Sequence, residues 1–78
     1  MIEADRIYEG DCVELLRSMD AESVNLVVTS PPYNLGIQYD RHDDAIPWPA
    51  YYAWCGEWLR EVYRVLKPDG RICINHYL

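Results

Sequence analysis

An α/β chain with parallel strands is what these 78 residues predict, on three observations. Val24-Asn25-Leu26-Val27-Val28 is a nearly continuous, β-branched apolar run, the pattern of a strand covered on both faces. Helical periodicity flanks it, with Val13, Leu16 and the Leu15–Met19 pair before it and a stripe from Tyr51 to Leu66 after it. Strand-like segments around Arg6-Ile7-Tyr8 and Arg71-Ile72-Cys73-Ile74 then bracket the helices. Strand, crossover helix and strand make parallel neighbours. The order is β-α-β-loop-α-β, a partial Rossmann-like sheet of parallel strands with crossover helices.

Each element has its own signals. The first strand ends at Gly10, and Asp11 stands where an N-cap belongs, ahead of a helix from Cys12 to Met19. Glu14 lies three residues on, as in a capping box. Met19-Asp20-Ala21-Glu22-Ser23 is a polar turn, and Asn25 is the one polar interruption of the central strand, with no chemical duty assigned. Pro31 and Pro32 stop that strand, because neither ring nitrogen can donate to a ladder. Each proline also holds the residue before it extended, so the carbonyls of Ser30 and Pro31 project from the strand's carboxyl end. Open α/β sheets bind ligands there. Tyr33 adds a ring face and a hydroxyl. A rigid acceptor pair beside an aromatic ring suits a flat molecule carrying an amino group.

From Asn34 to Pro47 no period is sustained, and long loops in compact domains are functional or mobile. Asp40, His42, Asp43 and Asp44 are read as a solvated loop with the charge bias of a helix start, not as a metal site. The loop is expected to order over substrate as a flap, with Gly36 permitting the bend. Helix resumes from Trp48-Pro49, the proline sitting in the first turn, and runs through Lys67. Tyr51, Cys55, Trp58, Leu59, Val62, Val65 and Leu66 form its stripe, broadened by Tyr52, Trp54 and Tyr63. Most of these rings are expected to pack rather than stack on a ligand. Arg60 and Arg64 are expected to pair with Glu57 and Glu61 as small surface contributions. Lys67-Pro68-Asp69-Gly70 ends the helix and the last strand starts at Arg71.

Composition narrows the class. Cys12, Cys55 and Cys73 are odd in number and lack Cys-x-x-Cys spacing, so they read as reduced thiols of a cytoplasmic protein. No apolar run approaches the roughly 20 residues of a membrane span, and the first residues are not a signal peptide. Net charge is −6, with 7 Lys+Arg against 13 Asp+Glu. A free-standing nucleic-acid binder carries the opposite sign, so a basic groove would have to lie elsewhere in a longer chain.

Ser30-Pro31-Pro32-Tyr33, after Asn25-Leu26-Val27-Val28-Thr29, resembles the catalytic motif of the DNA amino-methyltransferases, which methylate N4 of cytosine or N6 of adenine. Ile7-Tyr8-Glu9-Gly10-Asp11-Cys12 upstream and Val65-Leu66-Lys67-Pro68-Asp69-Gly70 downstream agree with it. Their order is similar to the permuted "beta" class, in which the catalytic half precedes the cofactor's glycine-rich loop. No such loop is present, the four glycines being scattered singly. Residues 1–78 are therefore expected to be an amino-terminal catalytic piece, inactive alone and lacking the cofactor loop and target-recognition region.

The resemblance implies S-adenosylmethionine as cofactor, approached by Asp11, Cys12, Ser30 and Pro31, and a catalytic set of Ser30, Pro31, Pro32 and Tyr33. It implies double-stranded DNA with the target base flipped out of the stack. The Ser30 side-chain oxygen and the Pro31 carbonyl would accept from the amino group while Tyr33 stacks on the base. Ser30 at the motif's first place favours N4 of cytosine over N6 of adenine, as a family tendency. Further expected partners are the carboxy-terminal half of the domain and, as an option, a second copy of the chain. Two other classes stand beside this reading: the same scaffold acting on an RNA base or a glutamine amide, and a non-catalytic remnant or interaction module.

Overall fold

A computed structural model describes residues 2–36 and 42–76. It has four elements: α1 (Cys12–Arg17), β1 (Val24–Thr29), α2 (Trp48–Val65) and β2 (Leu66–Ile74). β1 and β2 pair in parallel with α2 as the crossover. The α/β class is the expected one, and the described sheet has two strands, not a full Rossmann-like set.

Asp11 caps α1 as its type predicts, accepting the Glu14 N–H at 3.1 Å. The expected strand at Arg6-Ile7-Tyr8 is absent. Those residues belong to no element, Ile7 is fully exposed, and the local contacts are an exposed Arg6–Glu3 ion pair and a Glu3 N–H bond to the Tyr8 hydroxyl. A strand exists only through a neighbour's ladder, and neither edge of the described sheet takes this segment.

Val13, Trp58 and Val62 form the core, with Leu16, Val27, Trp54, Cys55, Leu66 and Ile72 packed against it. Both helices thus lie against one face of the sheet. On the other face Leu26 is 55% and Val28 72% exposed, which corrects the reading of β1 as covered on both sides. An unbroken apolar run supplies apolar groups to both faces, and the pattern alone does not say how many are covered.

The second junction also differs from expectation. α2 stops at Val65 rather than Lys67, and Leu66 is already extended. Val24 pairs with Leu66 but Leu26 pairs with Arg71, so Lys67-Pro68-Asp69-Gly70 bulges out within β2 instead of ending the helix. A Cβ on Gly70 would sit 2.9 Å from the Lys67 carbonyl oxygen, so only glycine fits the bulge. Beyond it the register is regular through Thr29↔Ile74.

Arg64 proves to be more than half of a surface pair. It meets Glu61 at 2.9 Å, but its other guanidinium nitrogens donate to the carbonyls of Met19 at 3.0 Å and Leu16 at 2.7 Å. Those are carbonyls at the end of α1, where the regular helical ladder stops, and the Leu16 carbonyl also accepts the Met19 N–H at 3.0 Å. In return, Glu22 and Ser23 donate their N–H groups to the Arg64 and Val65 carbonyls at the end of α2. No Arg60–Glu57 pair occurs among the described residues. Arg64→Ala is therefore expected to destabilise the intact protein by about 1.5–3 kcal/mol, the range for hydrogen bonds to a charged group. Arg60→Ala should shift it by less than about 0.5 kcal/mol. Urea midpoints of the two variants measure the contrast.

Candidate active site

The parallel register decides which residues meet at the carboxyl end of the sheet. Thr29 pairs with Ile74, and the Asn75 N–H continues the ladder to the Thr29 carbonyl at 3.0 Å. Asn75 and His76 therefore leave β2 beside Ser30 and Pro31 leaving β1. Asn75 Nδ2 donates to the Tyr33 hydroxyl at 3.1 Å and to Ser30 Oγ at 3.4 Å. The His76 ring lies 4.8 Å from the Tyr33 ring, centroid to centroid.

A second support comes from α2. Tyr51 is buried, and its hydroxyl donates to the Pro32 carbonyl and sits 2.7 Å from His76 Nε2. A hydroxyl carries one proton, so with that proton on Pro32 the His76 nitrogen is the donor. Burial first, then the interaction with the neighbouring Cys55 side chain, pushes the Tyr51 phenol up to about 12. No hydrogen bond among the described residues takes the Ser30 or Pro31 carbonyl.

The start of the loop is locked where a solvated one was expected. Asp44 is 2% exposed, and its two carboxylate oxygens accept the N–H groups of Asn34 and Leu35, each at 2.9 Å. The Asn34 amide donates to the Ile46 carbonyl and accepts from the Ile46 N–H, both at 3.0 Å. Asn34 holds φ near 59°, a left-handed conformation that asparagine tolerates better than most residues. Gly36, at φ 82°, makes the expected bend and bonds the Asp44 carbonyl at 2.8 Å. Asp40, with the middle of the expected flap, lies outside the described residues. Among those that are described, no three His, Cys, Asp or Glu side chains converge as a metal site.

Two hollows flank the motif. One is a cleft of about 440 Å³ where Cys12, Leu15 and Met19 of the α1 region face Ser30, Pro31 and Pro32, with Trp54 and Trp58 from α2. The Trp58 indole N–H is buried and has no hydrogen-bond partner among the described residues. Tyr33 lines the other hollow, with Trp48, Tyr51, Tyr52 and His76. Ser30, Pro31, Pro32 and Cys12 thus share one cleft, while Tyr33 faces the other and Asp11 lines neither. Partial burial, then the adjacent Asp11 carboxylate, pushes the Cys12 thiol up, which keeps it a protonated and weak nucleophile. Tyr51, Trp54 and Trp58 pack, as expected of most α2 rings, whereas Tyr52 and Tyr63 are 65% and 84% exposed, and Trp48, at the start of α2, is 48% exposed.

Sequence reasoning missed Asn75, His76, Tyr51, Asn34 and Asp44. The signal for Asn75 and His76 was present: two polar residues directly after an apolar strand, at the same topological level as the motif.

Residues 24–78 match a family model described as DNA methylase. The Type II methyltransferase M.MjaVI of Methanocaldococcus jannaschii is 54% identical over 69% of this chain and 28% of its own length. M.HpaI of Haemophilus parainfluenzae, also a Type II methyltransferase, is 41% identical over 88% of this chain and 22% of its own. The DNA adenine methyltransferase YhdJ of Escherichia coli is 38% identical over 92% of this chain and 24% of its own. The chain spans about a quarter of the length of these relatives.

The raised Tyr51 phenol makes a pH prediction. Unfolded tyrosine titrates near 10 and the folded phenol near 12, so the folded state holds the proton more tightly. Its contribution to stability is complete below about pH 10 and is lost as pH rises through about 12. Tyrosinate absorbance should show one late-titrating tyrosine in the intact protein, absent from Tyr51→Phe.

Proposed function

The chain belongs to the DNA methylase family, and on that footing we propose that it carries the catalytic segment of an enzyme methylating an exocyclic amino group of a DNA base, N4 of cytosine before N6 of adenine. The donor is S-adenosylmethionine. One observation carries the reading: Ser30 to Tyr33 stand at the carboxyl end of β1 between two hollows, braced from behind and with the forward carbonyls untaken by the described residues.

The cleft beside Cys12 suits the donor. It is mostly apolar, and Trp54 and Trp58 line it with aromatic rings of the kind that attract a cation. Ser30, Pro31 and Cys12 would hold it, with Asp11 acting through the α1 cap rather than from the cleft wall. S-adenosylmethionine supplies an electrophilic methyl on a positively charged sulfur. The target base occupies the aromatic hollow, stacked on Tyr33 with Trp48 and Tyr52 at its rim. Its amino group donates to Ser30 Oγ and to the Pro31 carbonyl. Fixing both N–H vectors turns the nitrogen lone pair toward the cleft and opposes its delocalisation into the ring. Pro32 fixes the backbone through Tyr51 and makes no contact of its own with the base. No covalent intermediate is needed, in keeping with the protonated Cys12 thiol. Catalysis is positioning and electrostatics. With a net charge of −6, this segment does not grip the phosphates, and that task falls to the rest of the enzyme.

Cytosine is preferred on Ser30 alone. Adenine is the second reading, favoured by the name of the YhdJ relative, and the same hydrogen-bond pattern serves both bases. Nucleosides released from DNA methylated by the full-length enzyme should contain N4-methylcytosine. N6-methyladenine alone reverses the base and leaves the amino-methyltransferase reading intact, while unmethylated amino groups defeat it. Tyr33→Ala should lower kcat/KM about 10- to 100-fold, the worth of a stacked base. Tyr33→Phe, which keeps the ring and loses one hydrogen bond, should lower it only about two- to tenfold.

A further inference from the structure

Among the described residues, Asn75 alone hydrogen-bonds both hydroxyls of the motif. Its backbone is pinned to Thr29 at 3.0 Å, one step beyond the last paired residue of the sheet, so the side chain springs from a rigid strand end. The residue is exposed and takes no part in the core. A side-chain amide nitrogen carries two hydrogens, and here one is directed to Tyr33 Oη at 3.1 Å and the other to Ser30 Oγ at 3.4 Å.

Each hydroxyl has two lone pairs and one proton. Accepting from Asn75 uses one lone pair on each. What remains on Ser30 is one acceptor and one donor, facing the site. The edge of a base with an exocyclic amino group is the complement of that pair: an N–H donor next to a ring-nitrogen acceptor. On Tyr33 the same bond fixes the hydroxyl from behind, and the His76 ring at 4.8 Å limits its tilt.

We propose that Asn75 is a positioning residue that sets the polarity of the site, orienting the Ser30 hydroxyl so that its proton points toward the substrate and holding the Tyr33 ring in place through its hydroxyl. The inference rests on the amino-methyltransferase reading above. Its chemistry differs from that of an acceptor at the same place. A carboxylate at position 75 would draw both hydroxyl protons onto itself, leaving Ser30 with lone pairs only against the ring nitrogen of the base.

The test uses the full-length enzyme with Asn75→Ala and Asn75→Asp, measuring kcat, KM for DNA, KM for S-adenosylmethionine and thermal midpoint. Misplacement of reacting groups shows in turnover, so Asn75→Ala should lower kcat about tenfold with both KM values within about threefold. Asn75→Asp, of the same shape but reversed polarity, should lose more than Asn75→Ala. Combined with Ser30→Ala and Tyr33→Phe, the Asn75→Ala loss should shrink, since the groups it orients are gone. Full activity of Asn75→Asp overturns the proposal, as do losses that add independently to those at Ser30 and Tyr33, or that track the thermal midpoint alone. Ser30→Ala and Tyr33→Ala distinguish the two levels of failure. If they cripple turnover while the Asn75 variants do not, this inference alone fails. If they are fully active, the reading of the motif fails and takes this inference with it.

Discussion

The parallel pairing of Thr29 with Ile74 is the constraint on which the site depends. Antiparallel strands would place the end of one beside the start of the other. In the parallel sheet both chains leave at one level, and the residues following β1 and β2 become neighbours without being close in sequence. The register is itself dictated by the bulge at Lys67-Pro68-Asp69-Gly70. A residue more or less in that bulge would put a different side chain where Asn75 stands, and would turn alternate residues of β2 to the opposite face.

Rigidity at this end comes from contacts made behind the reacting surface. Tyr51 reaches from the buried side of α2 to the Pro32 carbonyl, and Asp44 gathers the N–H groups of Asn34 and Leu35. Both leave the forward face of the motif open. A buried carboxylate would be unfavourable without partners, and the Asn34 and Leu35 N–H groups supply two, while the Gly36 N–H ties the Asp44 backbone carbonyl into the same loop. The result is a platform whose backbone is over-determined while its functional groups stay available, the arrangement preorganised catalysis requires.

The sequence made the place of the site legible more readily than its support. Two prolines after a β-branched run obey local rules, so the strand end at Ser30 and the exposure of its carbonyls follow from the residues themselves. The Asp11 cap is local too and was legible. Asn75 is different: its partner depends on a register that depends on a bulge, and no periodicity records that. Asp44 sat in a cluster of like residues, and only the folded loop separates its buried carboxylate from the exposed neighbour Asp43. Arg6-Ile7-Tyr8 failed for the opposite reason: its local pattern was adequate, but no ladder in the described sheet receives it. The two-faced apolar character of Leu26 and Val28 was read correctly as chemistry and wrongly as burial.

The direct passage of α2 into β2 has a consequence for the order of events on the ribosome. β1 is synthesised before the loop and the whole of α2, and its partner strand emerges only after both. Until then β1 is an apolar ribbon with both edges open, the state in which nascent chains associate wrongly. Its flanks are suited to that wait. Asp20 and Glu22 precede it and Pro31-Pro32 follow it, charges on one side and missing donors on the other, so a stray strand finds little ladder to extend. The same two prolines that shape the binding surface thus guard the growing chain before any surface exists.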